Sequence, residues 1–365
     1  MNGSSAGRLA HIDGLRGVAT LLVLYQHLLE YVGRAAPPDS WARLHLDWTL
    51  NHLDLGKLGV VLFFAVSGYI VPFSLGGAWP RLSFVLSRLF RLYPAYWLSL
   101  AAAALLLPAL GSETFAAPQL LANMTMLQTL LGHSDVLGVY WTLLIEWCFY
   151  ALCLMLFSAG WLHAPRALAA GFGLALGGAL LAAMWRSAGH GFAPVGLPLY
   201  LAIMLFGTCL RLATVEHDAQ AKRCCRLMLP ALLLALPLVW ATAYDDNSHK
   251  QTVAADTTAF CLALLLFVGA VRWRAFALRP LAYAGAISYA VYLFHPLTLE
   301  LVRHLAAQQP WPASAAVQIG ATLLLTWAVA HAVHRGVEQP AIAAGKRLRR
   351  WWLGRTAVGH KLPAG

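Results

Sequence analysis

Charged side chains are scarce in this sequence. Only 11% of its 365 residues are Asp, Glu, Lys or Arg, against roughly one quarter in soluble domains. The deficit excludes an ordinary water-soluble fold, because a chain that is 60% hydrophobic has more apolar surface than an aqueous core can hide. Acidic residues are scarcest, 15 against 26 Lys and Arg. The basic excess does not imply nucleic acid as a partner, since the bases stand in short clusters beside hydrophobic runs instead of along one polar face. Cysteine is sparse too. Cys148, Cys153, Cys209, Cys224, Cys225 and Cys261 show no paired zinc or disulfide spacing, so they read as packing residues and no metal is expected. No small-residue cleavage site follows Arg8, His11, Asp13 and Arg16, so the first hydrophobic helix is expected to remain as an anchor.

What the sequence does have is long apolar runs, and about 20 apolar residues suffice for one crossing of a bilayer. Judged so, spans fall at 12–33, 57–77, 92–110, 139–160, 167–187, 193–210, 228–244, 254–271, 281–302 and 313–334. The expectation is an all-α, polytopic transmembrane bundle of about ten helices, with the lipid bilayer as its first partner. Residues 1–340 make up the membrane domain and 341–365 a basic tail.

One uncharged segment, 114–134, is ambiguous because it carries Pro118, Gln119, Asn123, Gln128 and His133. Loop charge decides its placement. With ten crossings most Lys and Arg lie on the side of both termini; an eleventh crossing at 114–134 puts most on the opposite side. The positive-inside rule therefore predicts cytoplasmic N- and C-termini, with 114–134 folded back on the outer face as a re-entrant or interfacial element. Lys346, Arg347, Arg349 and Arg350 beside Trp351 and Trp352 read as an anchor on the anionic cytoplasmic leaflet.

Ionisable groups inside spans are costly and therefore mark candidate sites. The first span carries Asp13, Arg16, His27 and Glu30. Arg16 and His27 are three helical turns apart on one face, about 16 Å along the axis. Asp13 is spaced to pair with Arg16, and Glu30 with His27. A neutral His27 is suited to take a proton from a hydroxyl, with Glu30 holding its tautomer; hydrogen bonding to a neighbouring helix is the competing role. Arg88 and Arg91, one turn apart after the second span, suit bidentate contact with phosphate, or serve simply as positive-inside residues. Glu146, with Tyr150 at i+4, either serves chemistry or binds a structural arginine. Ser288, Tyr292 and His295 share a face near Pro296 and read as a polar packing seam.

In order along the chain stand DGLRG at Asp13–Gly17 followed by His27, GVVLFFAVSGY at Gly59–Tyr69, SRLFRLYPAYW at Ser87–Trp97, YWTLLIEWCFY at Tyr140–Tyr150, and ISYAVYLFHP at Ile287–Pro296. This set resembles acyltransferase family three, the integral membrane O-acyltransferases of bacterial cell-surface carbohydrates and related acceptors. The resemblance implies transfer of an acyl group, commonly acetyl, from cytoplasmic acyl-CoA to an acceptor hydroxyl at the outer face of the bacterial inner membrane. It implies His27 as general base, Arg16 as a donor-orienting group, and Arg88 with Arg91 as contacts to coenzyme A phosphates; Glu146 remains a candidate carboxylate. Acetyl-CoA or another acyl-CoA is then the donor, and a carbohydrate or glycolipid the acceptor. Departures are Val61 where many members have aspartate, Trp147 where many have a second glutamate, and Gln339 where arginine usually separates Glu338 from Pro340. They put the acceptor in doubt more than the reaction. Rival readings are acylation of a secreted metabolite such as a macrolide, a glycolipid or metabolite transporter, and a non-catalytic scaffold.

Overall fold

The computed structural model describes residues 10–77, 79–243, 252–273, 276–308 and 314–359, with side chains as far as 352. Among these there is helix and no strand. The order is α1 (Ala10–Ala35), α2 (Trp41–His52), α3 (Leu55–Ile70), α4 (Pro80–Ala109), α5 (Ala117–Asn123), α6 (Trp141–Ser158), α7 (Pro165–Ser187), α8 (Gly196–Thr214), α9 (Ala219–Ala243), α10 (Val253–Trp273), α11 (Arg279–Ala286), α12 (Ser288–Ala307), α13 (Ala315–Val333) and α14 (Gln339–Gly359). A π-turn, His334–Glu338, joins the last two.

Among the described residues, eight helices are long and apolar enough to cross a membrane, or nine if α11 and α12, broken at Ile287, count as one span. The protein is thus a multi-pass, all-helical membrane protein, in keeping with the expected bundle of about ten helices. Outside that count stands α1, which has the length at 26 residues but dilutes its apolar run with Asp13, Arg16, Gln26, His27, Glu30 and Arg34. The segment 114–134 forms the seven-residue α5 and a succession of turns, far short of a helical crossing.

Two boundaries differ from the sequence expectation. The arginine-rich stretch before residue 92, read as a loop, is the first three turns of α4, which starts with Pro80 in its first turn. Proline there loses no intrahelical bond and presets the helical φ. The basic stretch after residue 340 is also helical, as α14, and it packs against α4, with Gly345 against Phe90.

The helices gather into two compact units. The first comprises Met1–Pro72, Ile145–Ser288 and Gln309–Thr322; the second comprises Phe73–Leu144, Tyr289–Gln308 and Leu323–Gly365. In the first, α1 packs on α11 and α3, α3 on α8 and α10, and α8 on α7 and α9. Small residues let these backbones touch: a Cβ at Gly17 would overlap the carbonyl of Leu281, one at Gly285 the carbonyl of Asp13, and one at Gly68 the carbonyl of Met204. In the second unit, tyrosines lock the 117–140 segment onto α4. Tyr96 and Tyr93 donate to the carbonyls of Asn123 (2.6 Å) and Thr125 (2.8 Å), while Asn123 itself receives the amide of Val136 at 3.1 Å.

Candidate active site

The glycine crossing explains why the DGLRG stretch must be small at Gly14 and Gly17: α11 and Phe276 lie where side chains would project. Arg16 is carried on the same turns. Its Nη2 donates to Oγ of Ser288 at 2.8 Å, and Ser288 is 1% exposed, so the guanidinium is held by a group from the far end of the unit's sequence. Three turns further, His27 is half-buried on the same face of α1. The helix between them is continuous, so their separation is fixed by backbone geometry.

The carboxylate of Glu30 is held by Gln26, whose Nε2 donates to Oε1 at 3.1 Å, and by Arg34 at 3.7 Å. Gln26 and Arg34 thus hold Glu30 on the same stretch of α1 that carries His27. Glu146, on α6 in the same unit, accepts a hydrogen bond from the Tyr150 hydroxyl. Among the described residues its hydrogen-bond partner is therefore a phenol on its own helix, and Tyr150 in turn packs edge-on to Trp147 at 5.6 Å.

Arg88 and Arg91 belong to the second unit, on α4, both half-buried. Arg88 donates from Nη2 to Ser74 Oγ at 2.6 Å and lies 5.1 Å from the centre of the Phe84 ring. Its fork is thus oriented by protein groups, and part of its donor set is already used. The expected seam on α12 is resolved into separate tasks. Ser288 serves Arg16, the Tyr292 hydroxyl donates to the Val139 carbonyl at 2.7 Å, and His295, 2% exposed, donates from Nδ1 to the Val291 carbonyl at 3.1 Å.

Sequence reasoning missed a second polar group in the first unit. Lys57 Nζ reaches Asp256 Oδ1 at 2.6 Å, the lysine side chain 17% exposed and the aspartate 0%. Asp54 caps α3, accepting the Lys57 amide at 2.9 Å, and burial pushes its carboxyl above the ordinary range despite the lysine nearby. An ionisable residue in the first turn of α10 was the available signal, masked by the apolar run that follows it. His334 and Glu338 likewise pair across the π-turn at 2.6 Å, with Gln339 3.0 Å from the other ring nitrogen; their i, i+4 spacing was the clue.

Residues 9–331 match the family described as "Acyltransferase domain". The chain is also similar to "Protein 2 in picA locus" of Rhizobium radiobacter, at 33% identity over 106 residues, 28% of this chain and 47% of that protein. The match therefore spans about half the length of that relative. No solved structure matches.

Proposed function

This chain belongs to the acyltransferase family matched over residues 9–331, and on that premise we propose that it is an acyl-CoA dependent O-acyltransferase of the bacterial inner membrane. The donor enters from the cytoplasm, the side of both termini, and its acyl group, most simply acetyl, is placed on a hydroxyl of a cell-surface or lipid-linked carbohydrate. The observation that carries the reading is the placement of Arg16 and His27 on one face of α1, with Arg16 fixed by Ser288.

In this mechanism His27 removes the proton of the acceptor hydroxyl as its oxygen attacks the thioester carbonyl. The tetrahedral intermediate collapses with loss of the coenzyme A thiolate, and the proton leaves with the thiol. The product is an O-acyl ester. Arg16 orients the thioester arm, and a pantetheine chain can extend over the roughly 16 Å between Arg16 and His27. Arg88 and Arg91 hold donor phosphates. Glu146, kept in place by Tyr150, supplies a negative charge within the membrane domain.

The test is transfer of labelled acetyl from acetyl-CoA to extracted surface glycans by purified protein in lipid nanodiscs. His27→Ala should reduce the rate by about two to four orders of magnitude. An undiminished rate removes His27 from the chemistry, and substrate translocation without ester formation replaces the reading with a transporter.

A further inference from the structure

The polar group around Lys57 sits at the end of the first unit where α1 and α9 finish and α3 and α10 begin. From α1 come Gln26 and Glu30; from α3 and its cap, Lys57 and Asp54; from α10, Asp256; from α9, Trp240. A Cβ at Gly56 would lie 3.2 Å from both Asp54 Oδ1 and Gln26 Cγ, so the aspartate and the glutamine flank one position. Lys57 Nζ lies 4.8 Å from the centre of the Trp240 ring while bonding Asp256.

Two polar atoms of this group have no hydrogen-bond partner among the described residues. One is Oε1 of Gln26, a residue 2% exposed. The amide cannot simply be turned over, because its N–H side faces the Glu30 carboxylate, and reversing it would set oxygen against oxygen. Gln26 Oε1 therefore requires a donor. The other is the indole N–H of Trp240, which requires an acceptor. Leaving such atoms unpaired away from water costs about 1–3 kcal/mol each, so each gains from a partner, a donor at Gln26 and an acceptor at Trp240.

We infer that this group is the acceptor subsite, and that it binds the hydroxyl-rich ring of a neutral sugar. The inference rests on the carbohydrate reading above and gives it a location. A hydroxyl gives its proton to Gln26 Oε1 and accepts from Trp240 or Lys57, the pairing that a cation or an anion alone cannot make. Glu30 and Asp54 offer further acceptors, and Trp240 offers a face for the apolar side of a pyranose. His27 follows Gln26 directly and lies three residues before Glu30, so a sugar held here is within a turn of the proposed base.

The test is saturation-transfer NMR on the full chain in nanodiscs with methyl β-glucopyranoside and methyl β-galactopyranoside as probes. The parent should transfer saturation to ring protons of at least one glycoside. Gln26→Leu, which keeps size and removes the unpaired oxygen, and Trp240→Phe, which keeps the ring and removes the N–H, should each cut the signal at least fivefold. Trp240→Phe should elute and melt as the parent does, since the indole N–H has no hydrogen-bond partner among the described residues; Gln26→Leu also gives up the Nε2 bond to Glu30, so Glu30→Gln serves as its control and should keep the glycoside signal. No transfer in the parent, or equal transfer in folded variants, overturns the subsite. Ethanolamine binding in place of both glycosides overturns the sugar assignment. Acyl transfer is read separately with labelled acetyl-CoA: glycoside binding without ester formation sinks the acyltransferase mechanism and leaves the subsite standing.

Discussion

Arg16 and Ser288, 272 residues apart in sequence, meet through a hydrogen bond of 2.8 Å from Nη2 to Oγ. Ser288→Ala leaves the guanidinium without this acceptor but removes little volume. A hydrogen bond to a charged group contributes about 1.5–3 kcal/mol, so kcat/KM for acetyl-CoA should fall at least tenfold while the melting temperature moves little. Steady-state thiol release checks this, and an unchanged kcat/KM would show that Ser288 does not position Arg16 for the donor.

Gly17→Ala should destabilise the protein far more than a surface change would. The added methyl falls on the Leu281 carbonyl, and forced repacking costs about 1–3 kcal/mol. Thermal unfolding in detergent reads the loss; Gly173→Ala, where the surrounding space is open, serves as the comparison and should be close to neutral.

Asp256→Ala strands Lys57 in a setting where it is only 17% exposed, and breaking a buried pair costs about 3–5 kcal/mol. The double variant Lys57→Met, Asp256→Leu should recover most of that stability. A double variant no more stable than the single one would mean that the ion pair is not the source of the loss.

The pH dependence of stability should carry the mark of Asp54. Its folded carboxyl keeps its proton to higher pH than the unfolded one, because burial outweighs Lys57. Stability from this group is therefore full below the unfolded value of about 3.9 and lost as pH rises through the raised folded value. Asp54→Asn retains an N-cap acceptor and abolishes the titration. Relative to the parent, its melting temperature should rise as pH increases from about 4; a parallel pair of curves would contradict the assignment.

Arg88→Ala combined with Arg91→Ala should weaken acyl-CoA binding at least tenfold without unfolding the chain. Phe84→Leu removes the ring beside Arg88 and should produce a smaller loss in the same titration.

The hydrophobic runs made most helices legible, because a crossing needs a length of apolar sequence that little else imitates. Amphipathic stretches were less visible. The first turns of α4 hold Arg81, Arg88 and Arg91, and α14 holds four bases in five residues; charge density there reads as loop, although each helix has an apolar face. Arg16 and His27 were legible because both lie on one helix. Lys57 with Asp256 was not, since 199 residues separate them and no local spacing records a contact made by packing. Glu30 shows the converse: local spacing brings it both Gln26 and Arg34, each four residues away on the same helix.

At Gly17 and Gly285 the crossing of α1 with α11 leaves no room for a side chain, because an added Cβ meets a backbone carbonyl. Drift in sequence therefore has little room to retune the Arg16 end. At the other end, Gln26, Glu30 and Trp240 present side chains that can be exchanged one at a time, while Lys57 must change together with Asp256. A scaffold built this way can change its customer without changing its trade, and selection for new specificity should register there first.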